Sequence, residues 1–133
     1  MLGVKPYVNY SGTCREAIEF YKGAVGAEVQ FMQTFGESPM AGMGNPDHIM
    51  HATLKVGDSA IMMSDSPQPL KAGNNMSLAL GLDDAARARA IFDKLAEGGA
   101  VIMPIQKTFW AEAFGMLTDR FGVAWMINCE APR

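Results

Sequence analysis

FYKGAVGAEV (Phe20–Val29) and FDKLAEGGAV (Phe92–Val101) are one stretch written twice. At an offset of 72 residues (92 − 20), Phe20 meets Phe92, Lys22 meets Lys94, Ala24 meets Ala96, Gly26 meets Gly98 and Val29 meets Val101. Each copy reads as the last turns of a helix, a glycine stop and the first residues of a strand. A self-similarity longer than a solenoid period predicts two copies of one supersecondary module, not a stacked array.

The flanks of each copy extend the pattern. Val4–Tyr10 (VKPYVNY) reads as a strand, with Pro6 placing it at an edge or a strand start. Thr13 and Glu16 have capping-box spacing, and the helix that follows runs from about Cys14 to Val25. Its apolar face is Cys14, Ala17, Ile18, Tyr21 and Val25, and Gly26 ends it. Ala27–Phe35 is the second strand, and Gly36–Pro46 an irregular loop that reads equally as a rim or as a plain connection. Ile49–Val56 and Ser59–Asp65 form a hairpin around Gly57-Asp58. Alternation there puts Ala52, Leu54 and Val56 on one face, and His51, Thr53 and Lys55 on the other.

Ser66–Asn75, with two prolines and a glycine, is the linker. The second half repeats the order. Met76–Leu82 is a strand, and Asp83 or Asp84 caps a helix reaching about Glu97. Ala100–Met103 is a strand closed by Pro104, and Phe114–Thr118 with Val123–Asn128 is a last hairpin across Asp119–Gly122. The expected fold is therefore α+β: one domain over 1–133, built of a module at about 1–66, a linker at about 67–75 and a module at about 76–133.

Composition excludes several function classes. A net charge of −3 with scattered Lys and Arg offers no basic field for nucleic acid. No apolar stretch has the length of a signal peptide core or a bilayer span, so the expected location is the cytoplasm, with no membrane partner. Cys14 and Cys129 have no CxxC spacing, which predicts two reduced thiols. There is no GxGxxG and no GxSxG, so neither a nucleotide or S-adenosylmethionine site nor a serine nucleophile is supported. The 11 methionines are enough to fill a core or to line an adaptable apolar site.

A βαβββ module written twice resembles the vicinal oxygen chelate superfamily of glyoxalases, extradiol dioxygenases and bleomycin-resistance proteins. The resemblance to its PhnB-like branch is carried by EAIEFYKGAVGAE (16–28), IMHATLKVGDSAIMMSD (49–65), FDKLAEGGAV (92–101) and FGMLTDRFGVAW (114–125). It implies curled mixed sheets around a shared cavity, helices packed outside, and a homodimer. It also implies a divalent metal held by the first and last strands of each module, which polarises vicinal oxygens of a substrate. Carried over by helix starts and strand-end glycines, the four ligand positions fall at Pro6 (or Tyr7), Met63, Ser77 and Met126. Slips of one or two residues bring Ser64, Asp65 or Asn128 into play. Thioethers and a proline are poor donors for such an ion, so no metal and no cofactor are expected.

The residues themselves nominate a ligand site. His48 and His51 read either as a metal pair with Asp47 or Asp65, or as a loop histidine and a separate site histidine. Strand alternation sends residues three apart to opposite faces and favours the second reading. His51 beside Thr53 could bind a carbonyl or an anion, or act as a base. Asp65 reads as a ligand contact or as a turn cap. Trp110 and Phe114 could enclose an apolar molecule or simply pack. Trp125 is expected to face the helix and Met126 the site. The expected ligand-binding set is therefore His51, Met63, Asp65, Ser77, Trp110, Phe114 and Met126. The expected function is binding of a small, partly apolar molecule; a metal-dependent lyase, isomerase or dioxygenase with other ligands is the alternative.

Overall fold

The computed structural model describes residues 2–71 and 73–130. The chain divides into two compact units, Met1–Lys71 and Ala72–Arg133. In the first, β1 (Tyr7–Tyr10), α1 (Cys14–Val25), β2 (Glu28–Thr34), β3 (Ile49–Val56) and β4 (Ser59–Asp65) form a four-stranded sheet of order β1-β4-β3-β2. The second unit has β5 (Leu78–Leu82), α2 (Ala85–Ala96), β6 (Ala100–Gln106), β7 (Ala111–Thr118) and β8 (Ala124–Glu130), in the order β5-β8-β7-β6. In both sheets the first strand runs parallel to the last, and the other pairs are antiparallel. The repeated stretch ends the two helices in slightly different ways: Gly26 is the C-cap of α1, whereas Glu97 is the C-cap of α2 and Gly98 follows it. Gly26 and Gly98, paired at the 72-residue offset (98 − 26), take left-handed backbone with φ of 70° and 75°.

Each sheet buries one face under its helix. In the first unit Cys14, Ala17, Ile18, Tyr21, Ala24 and Val25 of α1 are buried, as are Ala52 and Leu54 of β3 and Ile61 and Met63 of β4. The hydroxyls of Tyr10 and Tyr21 meet at 3.0 Å and tie β1 to α1 inside this core. In the second unit Ala88, Ile91, Phe92 and Leu95 of α2 are buried, with Ala113 and Leu117 of β7 and Trp125, Ile127 and Cys129 of β8. Gly115 leaves room for this packing: a Cβ there would stand 2.6 Å from the Phe92 ring and 2.9 Å from Ile105 Cα.

Several local expectations are corrected. Thr13 occupies the N-cap of α1 but makes no side-chain cap bond. Asp65 takes that role from the end of β4: Cys14 N–H donates to its Oδ1 and Ile49 N–H to its Oδ2, both at 2.9 Å. A carboxylate satisfies an amide at a helix N-terminus more strongly than a hydroxyl does, because it is charged and meets the positive end of the dipole. The strand expected to close at Pro104 continues to Gln106. It lies at the sheet edge with an irregular register between Met103 and Gln106, where a proline forfeits no ladder bond. β7 starts at Ala111 instead of Phe114, while β1 and β5 are shorter than their apolar runs. Asp84 does cap α2, accepting from Arg87 N–H at 3.0 Å, and Gly57 and Gly122 supply positive φ in the two hairpins.

Cys14 and Cys129 are free and buried. Burial pushes the Cys14 thiol up to about 12, and the neighbouring Asp65 carboxylate adds to the effect. The thiolate is the reactive form, so the folded protein at pH 8 should leave Cys14 unmodified by a thiol reagent such as iodoacetamide. Unfolding in guanidinium should give complete modification. Peptide mass spectrometry reads both states, and rapid labelling of Cys14 in the folded protein would contradict this packing.

Candidate functional site

The far face of each sheet, away from its helix, is where polar and aromatic side chains collect. In the first unit Tyr7 of β1 pairs with Met62 of β4, and Met62 pairs with Thr53 of β3. Thr53 in turn pairs with Phe31 of β2. Opposed residues share a face, so Tyr7, Met62, Thr53 and Phe31 stand together with His51, two residues from Thr53. Their contacts agree. The Tyr7 hydroxyl lies 3.2 Å from His51 Nδ1, and the Thr53 hydroxyl 3.4 Å from His51 Nε2. The Phe31 and Tyr7 rings sit 5.9 and 5.6 Å from the imidazole, both tilted. Tyr7 and Phe31 are nearly half exposed, at 45% and 47%. His51 is thus held between two hydroxyls and two rings. His48 is elsewhere: its ring packs over Gly12, where a Cβ would stand 3.0 Å from Cε1.

The second unit builds its far face from other chemistry. Phe114 of β7 pairs with Asn128 of β8, and Met116 with Met126. Asn128 pairs on its other side with Gly81, and Met126 with Ala79. Trp110, just ahead of β7, meets the Phe114 ring at 5.3 Å edge-on, and Phe109 meets Trp110 at 4.7 Å. Trp125 is buried on the helix side, and Met126 is half-buried on the other.

The residues nominated from sequence therefore belong to two different sheets. His51 falls on the far face of the first sheet; Trp110, Phe114 and Met126 fall on that of the second. Met63 does not belong with them. It is fully buried opposite Ala52, in the core under α1, and Met62 and Ser64 occupy the far face instead. A strand alternates with period two, so a one-residue slip in carrying the position over reverses the face. Asp65 is 2% exposed with both oxygens engaged by backbone amides, a structural role. Ser77 is exposed, just ahead of β5. Tyr7, Phe31 and Asn128 were not in the nominated set. Tyr7 lies 44 residues from His51, and only the parallel β1–β4 register brings the two together.

These donors do not fit a divalent metal. Among the described residues no three His, Cys, Asp or Glu side chains form a group that could hold one. The far faces offer a phenol, thioethers, hydroxyls, the Asn128 amide and a single imidazole. The half-buried Glu112, which alternates with Phe114 and Met116 on β7, belongs to no group of three such ligands. Mg, Mn, Ni or Zn in an oxygen-rich site needs carboxylates and imidazoles together. Among the described residues no helix is long and apolar enough to cross a membrane.

Comparison with known proteins supplies the ancestry of this arrangement. The chain is 39% identical to protein YjdN of Escherichia coli, over 94% of this chain and 93% of that one. It is 45% identical to protein PA1353 from Pseudomonas aeruginosa, whose solved structure superposes with a TM-score of 0.88 and covers 98% of both chains. A PhnB protein from Bacillus cereus, 24% identical, has the same fold at a TM-score of 0.83, covering 96% of this chain and 99% of its own. The profile of the Glyoxalase/Bleomycin resistance protein/Dioxygenase superfamily matches residues 4–127. With its doubled βαβββ module and two four-stranded mixed sheets, the chain belongs to that superfamily.

Proposed function

We propose that this protein binds a small, partly apolar molecule without recruiting the divalent metal used by enzymes of its superfamily. The observation that carries this reading is the chemistry of the two far faces: rings and thioethers around a few hydrogen-bonding groups, with no group of three metal-ligating His, Cys, Asp or Glu among the described residues. Ligand sites in general combine apolar walls with a small number of placed polar atoms. On the first face the imidazole and two hydroxyls supply them. Both ring nitrogens of His51 are engaged by a hydroxyl, and a hydroxyl can donate or accept as the imidazole requires. Each hydroxyl keeps capacity for a polar group on a ligand. Sequestration, the mode of action that the resemblance to bleomycin-resistance proteins implies, suits such a surface.

The test begins with metal content. The purified protein is dialysed separately against nickel, zinc, manganese and ferrous iron, desalted, and its bound metal quantified. The expected result is far below one equivalent per chain, with a small organic molecule travelling with the protein in native mass spectrometry. A ligand of that kind should raise the melting temperature by mass action. Retention of one metal per chain, lost in His51→Ala, would replace this reading with a metal-dependent lyase, isomerase or dioxygenase.

A further inference from the structure

We propose that the far face of the second sheet receives the ligand's polar handle, and that this handle is a hydrogen-bond donor, an N–H or O–H, on a flat apolar body. The inference deepens the small-molecule reading above and rests on it. It begins with Asn128, whose Oδ1 is buried yet has no hydrogen-bond partner. A buried amide oxygen left unpaired is costly, and native folds seldom tolerate one without a use.

The surroundings of that oxygen describe its partner. Gly81 stands directly beside Asn128 in the parallel β5–β8 register, and a Cβ placed on it would meet nothing within 4 Å. Open space therefore lies over the residue beside Asn128 on the same face, and a donor entering it reaches Oδ1, which is closed to water in the free protein, by a turn of the Asn128 side chain. Phe114 lies across from Asn128 on β7, with Trp110 edge-on against it and 45% exposed. A planar molecule lying over Gly81 would meet the Phe114–Trp110 pair along one side and turn its donor toward Oδ1. An acceptor at that edge would instead oppose the lone pairs of Oδ1. Asn128 is thus the specificity element and Gly81 the floor of the site.

Indole, 1-methylindole and benzofuran make the test: 1-methylindole replaces the ring N–H by N–CH3, and benzofuran replaces it by an oxygen without adding bulk. Each is titrated into 15N-labelled protein, and binding is read from the amide shifts of Gly81 and Asn128. The expected result is that indole binds about tenfold more tightly than either analogue, the discrimination of a single buried hydrogen bond. Asn128→Leu should abolish the preference while retaining binding of all three probes. Gly81→Val should abolish binding of all three; its strand backbone and open surroundings accept a side chain without strain. Equal affinities in the wild type, a preference that survives Asn128→Leu, or shifts located away from Gly81 and Asn128 would each overturn the proposal. Binding of all three probes with equal affinity would overturn the donor assignment alone and leave metal-free binding standing, whereas the metal measurement addresses that broader reading independently.

Discussion

Asp65→Ala is expected to destabilise the folded protein by about 3–5 kcal/mol, since each hydrogen bond to a buried charged acceptor is worth roughly 1.5–3 kcal/mol. The carboxylate ends β4 and holds two amides at once: that of Cys14, which opens α1, and that of Ile49, which opens β3. Alanine leaves both N–H groups buried without an acceptor, and no neighbouring hydroxyl replaces it, because Thr13 makes no cap bond. A loss of this size is a large part of the ~5–15 kcal/mol by which domains are stable. Asp65→Asn should lose less, because its remaining carbonyl oxygen keeps one of the two bonds. Urea unfolding followed by circular dichroism measures all three proteins. Were Asp65 a ligand contact, the alanine variant would keep its midpoint and lose only binding; an unchanged midpoint would return the residue to the site.

That contrast shows what the amino-acid order makes legible. Most local signals carried through, the Thr13–Glu16 capping box being the exception. The glycine stop at Gly26, the Asp84 cap and the hairpin turn at Gly122 are each decided by residues within a few positions of one another, while α2 stops one residue before Gly98, at Glu97. The alternation that sends Trp125 to the helix and Met126 away from it is local too. Long-range pairing was not legible. Asp65 caps a helix that begins 51 residues earlier, a partnership that no spacing rule encodes. The faces of Met62 and Met63 depend on strand register, which one residue reverses, and MM leaves that register open. Pro104 broke the expected strand because the rule against proline applies to inner strands, and edge position is a property of the assembled sheet. The candidate site suffers most from this. Tyr7 with His51, and Asn128 with Gly81 and Phe114, are each brought together by cross-strand pairing.

Asp119→Ala is the second large effect expected, again about 3–5 kcal/mol on the scale of bonds to a charged acceptor. Asp119 is 2% exposed, and its Oδ1 accepts from Phe121 N–H at 2.9 Å and from Val123 N–H at 3.1 Å. Its Oδ2 accepts from the Trp125 indole N–H at 2.9 Å. One side chain therefore closes the β7–β8 turn and anchors the largest ring on the helix face of β8. Fixing Trp125 on that face fixes Met126 and Asn128 on the opposite side, because adjacent residues of a strand cannot share a face and alternate ones do. The alanine variant should unfold at lower urea and, in a Trp110→Phe background, show a red-shifted Trp125 emission before global unfolding. Asp119→Asn should retain the two backbone bonds through its carbonyl oxygen and lose the indole bond, giving a smaller destabilisation and a similar spectral shift. A loss below about 1 kcal/mol in Asp119→Ala, the ordinary range of a neutral hydrogen bond, would mean that Gly122 closes the hairpin unaided and that the Asp119–Trp125 bond does not set the face on which Asn128 stands.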